Sequence, residues 1–243
     1  MKHIFLILFI SICVQLKAQE TGTRKIDENT VIKDSGGTVY PFKVWITMIQ
    51  SNEYGLKLSN PKDKNSDLLI FKLSEKEKQR KDSLQEIMAA NSPQPKESGF
   101  FKTGEKIKSF KEKDMEGKKF CLKEMKGKVV ILNFWFIGCP PCREEIPKLN
   151  QTVEKYKNNP DVVFIAIALD DASSLKEFLK TNPFKYHIID NGRYIAQGIY
   201  GINGFPTHVV VDKNGIIRFH TSGLGPGTVH YLKKTIDDIL NEK

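Results

Sequence analysis

Val129-Val130-Ile131-Leu132-Asn133-Phe134-Trp135-Phe136-Ile137-Gly138-Cys139-Pro140-Pro141-Cys142-Arg143-Glu144-Glu145-Ile146-Pro147-Lys148-Leu149 is the stretch that decides the fold. Its first part is a continuous apolar, β-branched run, the pattern of a buried strand. Its second part, from Arg143, reads as helix. Two cysteines separated by two residues at such a junction suit reversible dithiol–disulfide exchange. Backbone N–H groups at a helix mouth lack intrahelical partners and the macrodipole is positive there, so a thiolate is favoured over a thiol. Cys139 is the expected attacker. Cys142, about one turn on, is expected to close a small ring onto it and expel a bound partner. Pro140 and Pro141 donate no N–H and fix φ, which a first helical turn accommodates. The alternatives are a structural disulfide or half of a zinc site. A zinc ribbon wants a second Cys pair, and only Cys13 and Cys121 remain.

Met1-Lys2-His3, the apolar run Ile4–Val14 and Gln15-Leu16-Lys17-Ala18-Gln19 have the order of a secretory signal peptide, with cleavage expected after Ala18. The run is too short for a comfortable transmembrane helix. Cys13 invites a lipoprotein reading, but Ile12 stands where such signals need a small residue. The expected location is the periplasm or extracytoplasmic face, where disulfides persist and a redox pair needs a dedicated electron partner. An uncleaved signal would act as a tether. Removing residues 1–18 from 243 leaves 225, room for one large domain or two small ones. The formal charge of +9 falls to +7 as Lys2 and Lys17 leave. Between Lys57 and Lys128 acidic residues interleave with the lysines, which reads as a solvated face and not as a nucleic-acid surface.

Asn91-Ser92-Pro93-Gln94-Pro95-Lys96-Glu97-Ser98-Gly99 is a polar, proline-containing boundary. Residues 19–98 before it read as a small α+β region: a hairpin around Asp34-Ser35-Gly36-Gly37, a helix carrying Phe42, Trp45, Ile46 and Ile49, a strand at Asp67–Leu73, and a charged helix to Ala90 opened by a Ser74–Glu77 capping box. No motif there names a chemistry. Residues 99–243 form the second domain. Ile107–Phe110 and Lys118–Leu122 are expected to flank a turn at Asp114-Met115-Glu116-Gly117. A strand at 128–135 and a helix kinked at Pro147 follow. Then come a strand at Val162–Leu169, a helix capped by Ser173, a strand at Lys185–Ile189 and a short helix at Arg193–Gly198. A hairpin joins Thr207–Val211 to Ile216–Phe219 through Asp212-Lys213-Asn214-Gly215, and a helix closes the chain over Gly227–Leu240. The order β-α-β-α-β-α-β-β-α predicts an α/β fold, a central mixed sheet flanked by helices with an N-terminal hairpin extension.

The order of elements, Asn133-Phe134-Trp135 ahead of Cys139-Pro140-Pro141-Cys142, Pro147, and Gly204-Phe205-Pro206-Thr207 resemble the extracytoplasmic thioredoxin-fold oxidoreductases of the TlpA/ResA type. The resemblance covers about residues 99–243 and says nothing of 19–98. It implies a thioredoxin-like fold with residues 170–200 as the family's insertion. It implies that Pro206 is the cis-proline facing the sulfurs, with Phe205, Thr207 and Gly138 completing a substrate-binding edge. It implies that Glu145 joins Cys139 and Cys142 as a catalytic residue assisting proton transfer; spacing places it on the face of Cys142, and the alternative is a surface helix carboxylate. Asn133 stands where cytosolic thioredoxins bury an acid, and an amide cannot take that proton. Gly138 departs from the family's Trp and removes an aromatic shield.

Cys121 reads as a buried structural thiol, with a resolving role as the alternative. His208, two residues past Pro206, could join the cysteines on copper or turn away from them. No cofactor or metal is expected beyond the redox-active Cys139–Cys142 pair. The function expected is thiol–disulfide oxidoreduction on exported, disulfide-containing proteins, apocytochrome c among them by resemblance, with a membrane-side thiol–disulfide donor restoring the pair. The alternatives are a peroxiredoxin-type thiol peroxidase, against which Phe136 stands three residues before Cys139 where a Thr or Ser is expected, and a non-catalytic metal chaperone or interaction module.

Overall fold

The computed structural model describes residues 26–51 and 53–242. The expected signal peptide, its expected cleavage after Ala18, and Cys13 lie outside them. The chain divides into two compact units: the described residues up to Ile46 with Leu56–Phe71, and Thr47–Gly55 with Lys72–Lys243.

The first unit is built on short strands β1 (Ile32–Lys33) and β2 (Val39–Tyr40), an antiparallel pair across the expected turn. Helix α1 (Phe42–Gln50), strand β3 (Tyr54–Leu58) and strand β4 (Leu68–Lys72) follow. The sheet order is β2-β1-β4-β3. β3 was not anticipated, because Tyr54-Gly55-Leu56-Lys57-Leu58 carries a glycine and a lysine and is weakly apolar. Ile32, Trp45, Leu68 and Ile70 are the buried side chains.

The second unit contains α2 (Glu75–Ala90), capped by the expected Ser74–Glu77 box. α2 thus belongs to the same compact unit as the residues beyond 99, whereas the sequence sets it before a boundary at 98/99. Its Glu86 pairs with His230 and Lys233 at 2.8 and 2.7 Å, both on α5 (Thr228–Asn241). The polar connection is also held: Ser98 N–H donates to His220 Nδ1 at 3.0 Å, and Thr221 Oγ1 donates to the Lys96 carbonyl at 2.9 Å.

The central sheet has the order β11-β10-β7-β8-β9. β7 (Val129–Trp135) lies in its middle, with every residue buried. β8 (Val162–Ala168) and β9 (His187–Ile189) run parallel to it, while β10 (Thr207–Val211) is antiparallel to both β7 and β11 (Ile217–Ser222). One face packs under α3 (Pro140–Tyr156), α4 (Ala172–Thr181) and α5, through Leu149, Leu175, Leu232 and Ile236. The other is covered by Phe110, Phe120 and the short π-helix Tyr194–Ile199. α3 runs on through Pro147 to Tyr156.

Two local expectations are corrected. The hairpin's first arm is β5 (Lys111–Lys113), paired with β6 (Lys119–Cys121), and not Ile107–Phe110. Asp114 Oδ1 accepts from the N–H groups of Glu116 and Lys118, and Gly117 has φ +88°, so the turn is tight and the ladder starts beside it. Ile107 N–H instead reaches the Gly215 carbonyl at 3.0 Å. The N-cap of α4 is Asp171, not Ser173: its carboxylate accepts from the N–H groups of Ser173 and Ser174 at 2.8 and 3.0 Å.

Asp171→Ala should therefore lower stability by about 1 kcal/mol and Ser173→Ala by less than about 0.5 kcal/mol, read from urea midpoints. A second expectation concerns pH. Burial pushes the His220 imidazole below its ordinary 6.5, the Glu97 carboxylate opposing only in part. As pH falls through the histidine range the unfolded chain binds the proton first, so this contribution is full above 6.5 and declines below it. Between about pH 7.5 and about pH 5, His220→Gln should lose less stability than the natural protein; an equal loss would show that His220 does not contribute.

Candidate active site

Cys139 is the N-cap of α3, and Pro140 and Pro141 occupy its first turn. The two cysteines are joined by a disulfide, with Cα atoms 5.3 Å apart. The Cys142 N–H points at Cys139 Sγ at 3.3 Å, so a free donor of the helix mouth is directed at the first sulfur. Both cysteines are buried, whereas Gly138 and Pro140 beside them are exposed. The turn ahead of Cys139 is fixed from β8: Ile137 N–H donates to Asp170 Oδ2 at 2.8 Å. The sequence reading missed Asp170. Its signal was an acid just past a strand expected to neighbour the one that ends at the cysteines.

The Phe205–Pro206 peptide is cis and leads directly into β10. Phe205 meets Phe136 edge-to-face, ring centroids 5.4 Å apart, so the two loops touch through these rings. A Cβ on Gly138 would lie 3.4 Å from the Phe136 ring. The Phe136 ring, two residues earlier, thus lies against the bare backbone of Gly138. Thr207 is fully buried, and its hydroxyl is committed to the Gly204 carbonyl at 2.8 Å and Ser222 Oγ at 2.5 Å. Gly138 is exposed and Phe205 half-buried, while the Thr207 side chain is buried.

Glu145 is 1% exposed, which overturns the surface-carboxylate alternative. Asn133 Nδ2 donates to Glu145 Oε1 at 3.2 Å, and His208 Nε2 meets Glu145 Oε2 at 3.0 Å. His208 therefore turns onto the carboxylate under the helix. Tyr186, buried, lies within electrostatic reach of Glu145. Burial first, and the carboxylate's charge second, push its phenol proton well above the ordinary range. Trp135 is core, with the Phe184 and Phe178 rings at 5.5 and 5.7 Å. Cys121 is a free, half-buried thiol at the end of β6. Among the described residues no three His, Cys, Asp or Glu side chains come together as a metal site.

A model of the AhpC/TSA family matches residues 103–220. The thiol-disulfide oxidoreductase ResA of Bacillus thuringiensis (strain Al Hakam) is 40% identical over 125 residues, 48% of this chain and 71% of that protein. The crystal structure of a proposed thiol:disulfide interchange protein DsbE from Chlorobium tepidum is 28% identical with TM-score 0.53, spanning 58% of this chain and 99% of that one. A proposed protein disulfide isomerase from Bacteroides thetaiotaomicron is 26% identical with TM-score 0.52, spanning 58% of this chain and 91% of that one. With identity at that level over most of the Bacillus protein, this chain belongs to the ResA-like thiol-disulfide oxidoreductases of the thioredoxin superfamily.

Proposed function

We propose that this protein is an exported thiol–disulfide oxidoreductase that reduces or exchanges disulfides of extracytoplasmic proteins through Cys139 and Cys142. The observation that carries the reading is the Cys139–Cys142 disulfide seated at the mouth of α3, with the Cys142 N–H aimed at the first sulfur. In the reduced pair the Cys139 thiolate attacks a substrate disulfide, forms a mixed disulfide and expels one substrate thiolate. Cys142 then attacks Cys139; the Cys139–Cys142 bond forms, the mixed disulfide breaks, and the second substrate sulfur leaves. The substrate gains two electrons and the pair loses two. A membrane-side thiol–disulfide donor returns them.

The substrate's extended backbone would lie along the cis-Pro206 loop, with Gly138 opening the approach to Cys139 and Phe205 and Phe136 lining its edge. Thr207 contributes backbone there, since its hydroxyl is already bonded. Export rests on the basic, apolar and small-residue order of residues 1–18. No described helix is long and apolar enough to cross a membrane. The peroxidase alternative lacks a hydroxyl three residues before Cys139; Phe136 is there and its ring is engaged with Phe205.

Cys142→Ser should accumulate mixed disulfides with exported proteins, visible on non-reducing gels and lost in Cys139→Ser. The natural protein should catalyse reduction of a model protein disulfide when supplied with a dithiol. No trapped species together with no catalysed exchange would remove the proposal.

A further inference from the structure

Asn133 and His208 are polar residues inside two apolar strands, and the antiparallel register sets them directly opposite each other. Asn133 Nδ2 lies 3.2 Å from Glu145 Oε1 and 3.3 Å from His208 Nδ1. An amide nitrogen carries two hydrogens and accepts none, so in this orientation both contacts are donations. His208 Nδ1 is then an acceptor, and the ring hydrogen sits on Nε2. Nε2–H donates to Glu145 Oε2 at 3.0 Å. Both oxygens of the Glu145 side chain are thus met by N–H donors. Glu145 is 1% and His208 0% exposed, so solvent does not substitute for these partners.

The groups packed around the pair come from several elements. Thr221 lies across the ladder from His208 on β11, and Tyr186 reaches Glu145 from the segment leading into β9. Cys142 precedes Glu145 by one turn of α3. Among the described residues no Lys or Arg pairs with Glu145, which instead meets His208.

We propose that His208 is a positioning residue for the dithiol: its Nε2–H holds the Glu145 carboxyl group oriented, so that it takes the proton of Cys142 when that thiol resolves the mixed disulfide. This rests on the oxidoreductase reading. The Cys142 proton passes to Glu145, the Cys142–Cys139 bond forms, and the Cys139–substrate bond breaks. The substrate sulfur leaves as a thiolate and is protonated by solvent. Re-reduction of the pair returns a proton to Cys142.

The test uses the reduced full-length protein and a chromophoric aromatic disulfide, in which the second thiolate released reports resolution. His208→Leu removes the donor. Resolution should slow roughly tenfold near neutral pH, and the pH below which it fails should rise by about one unit, the loss expected for one charge-assisted hydrogen bond. His208→Gln keeps an N–H donor and should stay within about threefold of the natural rate, on the same scale of hydrogen-bond energies. Leu and natural proteins with the same profile, or Gln as impaired as Leu, would overturn the role. Ring-nitrogen NMR of the natural oxidised protein needs no variant: His208 should carry hydrogen on Nε2, and an Nδ1–H tautomer would overturn it as well. If the natural protein releases no second thiolate, the oxidoreductase reading itself fails; if it does and His208→Leu matches it, only the His208 role fails.

Discussion

The antiparallel ladder between β7 and β10 is the constraint on which the rest of the site depends. It pairs Asn133 with His208 and Phe134 with Thr207, and so sets the end of the strand that leads to Cys139 beside the start of the strand that follows Pro206. Side chains alternate across a sheet, so a slip of one residue would send Asn133 or His208 to the opposite face, among Phe110, Phe120 and Ile202. Register is strongly specified here because both faces are buried. Val129, Ile131 and Trp135 pack under the helices, while Val130, Leu132 and Phe134 pack on the far side. The apolar residues of β7 thus hold in place the one polar residue among them.

That polar residue makes the buried carboxylate tolerable. An unpaired ionised group under α3 would cost several kcal/mol, and a half-satisfied polar network is worse than an apolar core. Glu145 meets two donors from two strands, and each donor is fixed by a ladder that would form without it. Helix α3 brings the third element: its N-cap is a cysteine, and one helical turn separates Cys142 from Glu145. Strand register and helical pitch therefore converge on the same small volume from independent directions.

Much of this was legible in the sequence. Continuous apolar runs marked β7 and β8, the cysteine pair marked the start of α3, and Asn214-Gly215 marked the β10–β11 turn. Those signals are local, set by burial on both faces, by helix-mouth chemistry and by a turn that needs positive φ. Glu145 was placed on the right helical face, but spacing along one helix says nothing about what lies opposite it. The union of Asn133, Glu145 and His208 spans 75 residues of chain and is created by pairing between strands. β3 and the cap of α4 were missed for the reverse reason. β3 has too little apolar character to stand out, and Asp171 and Ser173 are both good capping residues, so backbone direction alone decides between them.

Gly138 and Phe136 sit together in the loop ahead of the cysteines. The absent side chain at 138 leaves the space against which the Phe136 ring settles, 3.4 Å from where a Cβ would be. That ring is in turn held edge-to-face by Phe205, a pair worth about 0.5–1.5 kcal/mol. Because Phe205 precedes the cis-proline and Phe136 precedes the cysteines, the aromatic contact couples the two loops that must stay aligned across the disulfide. Asp170 adds the second restraint, holding the Ile137 N–H from the end of β8. The backbone ahead of Cys139 is thus pinned on one side by a carboxylate and on the other by a ring, with the exposed Gly138 set between Ile137 and the buried Cys139.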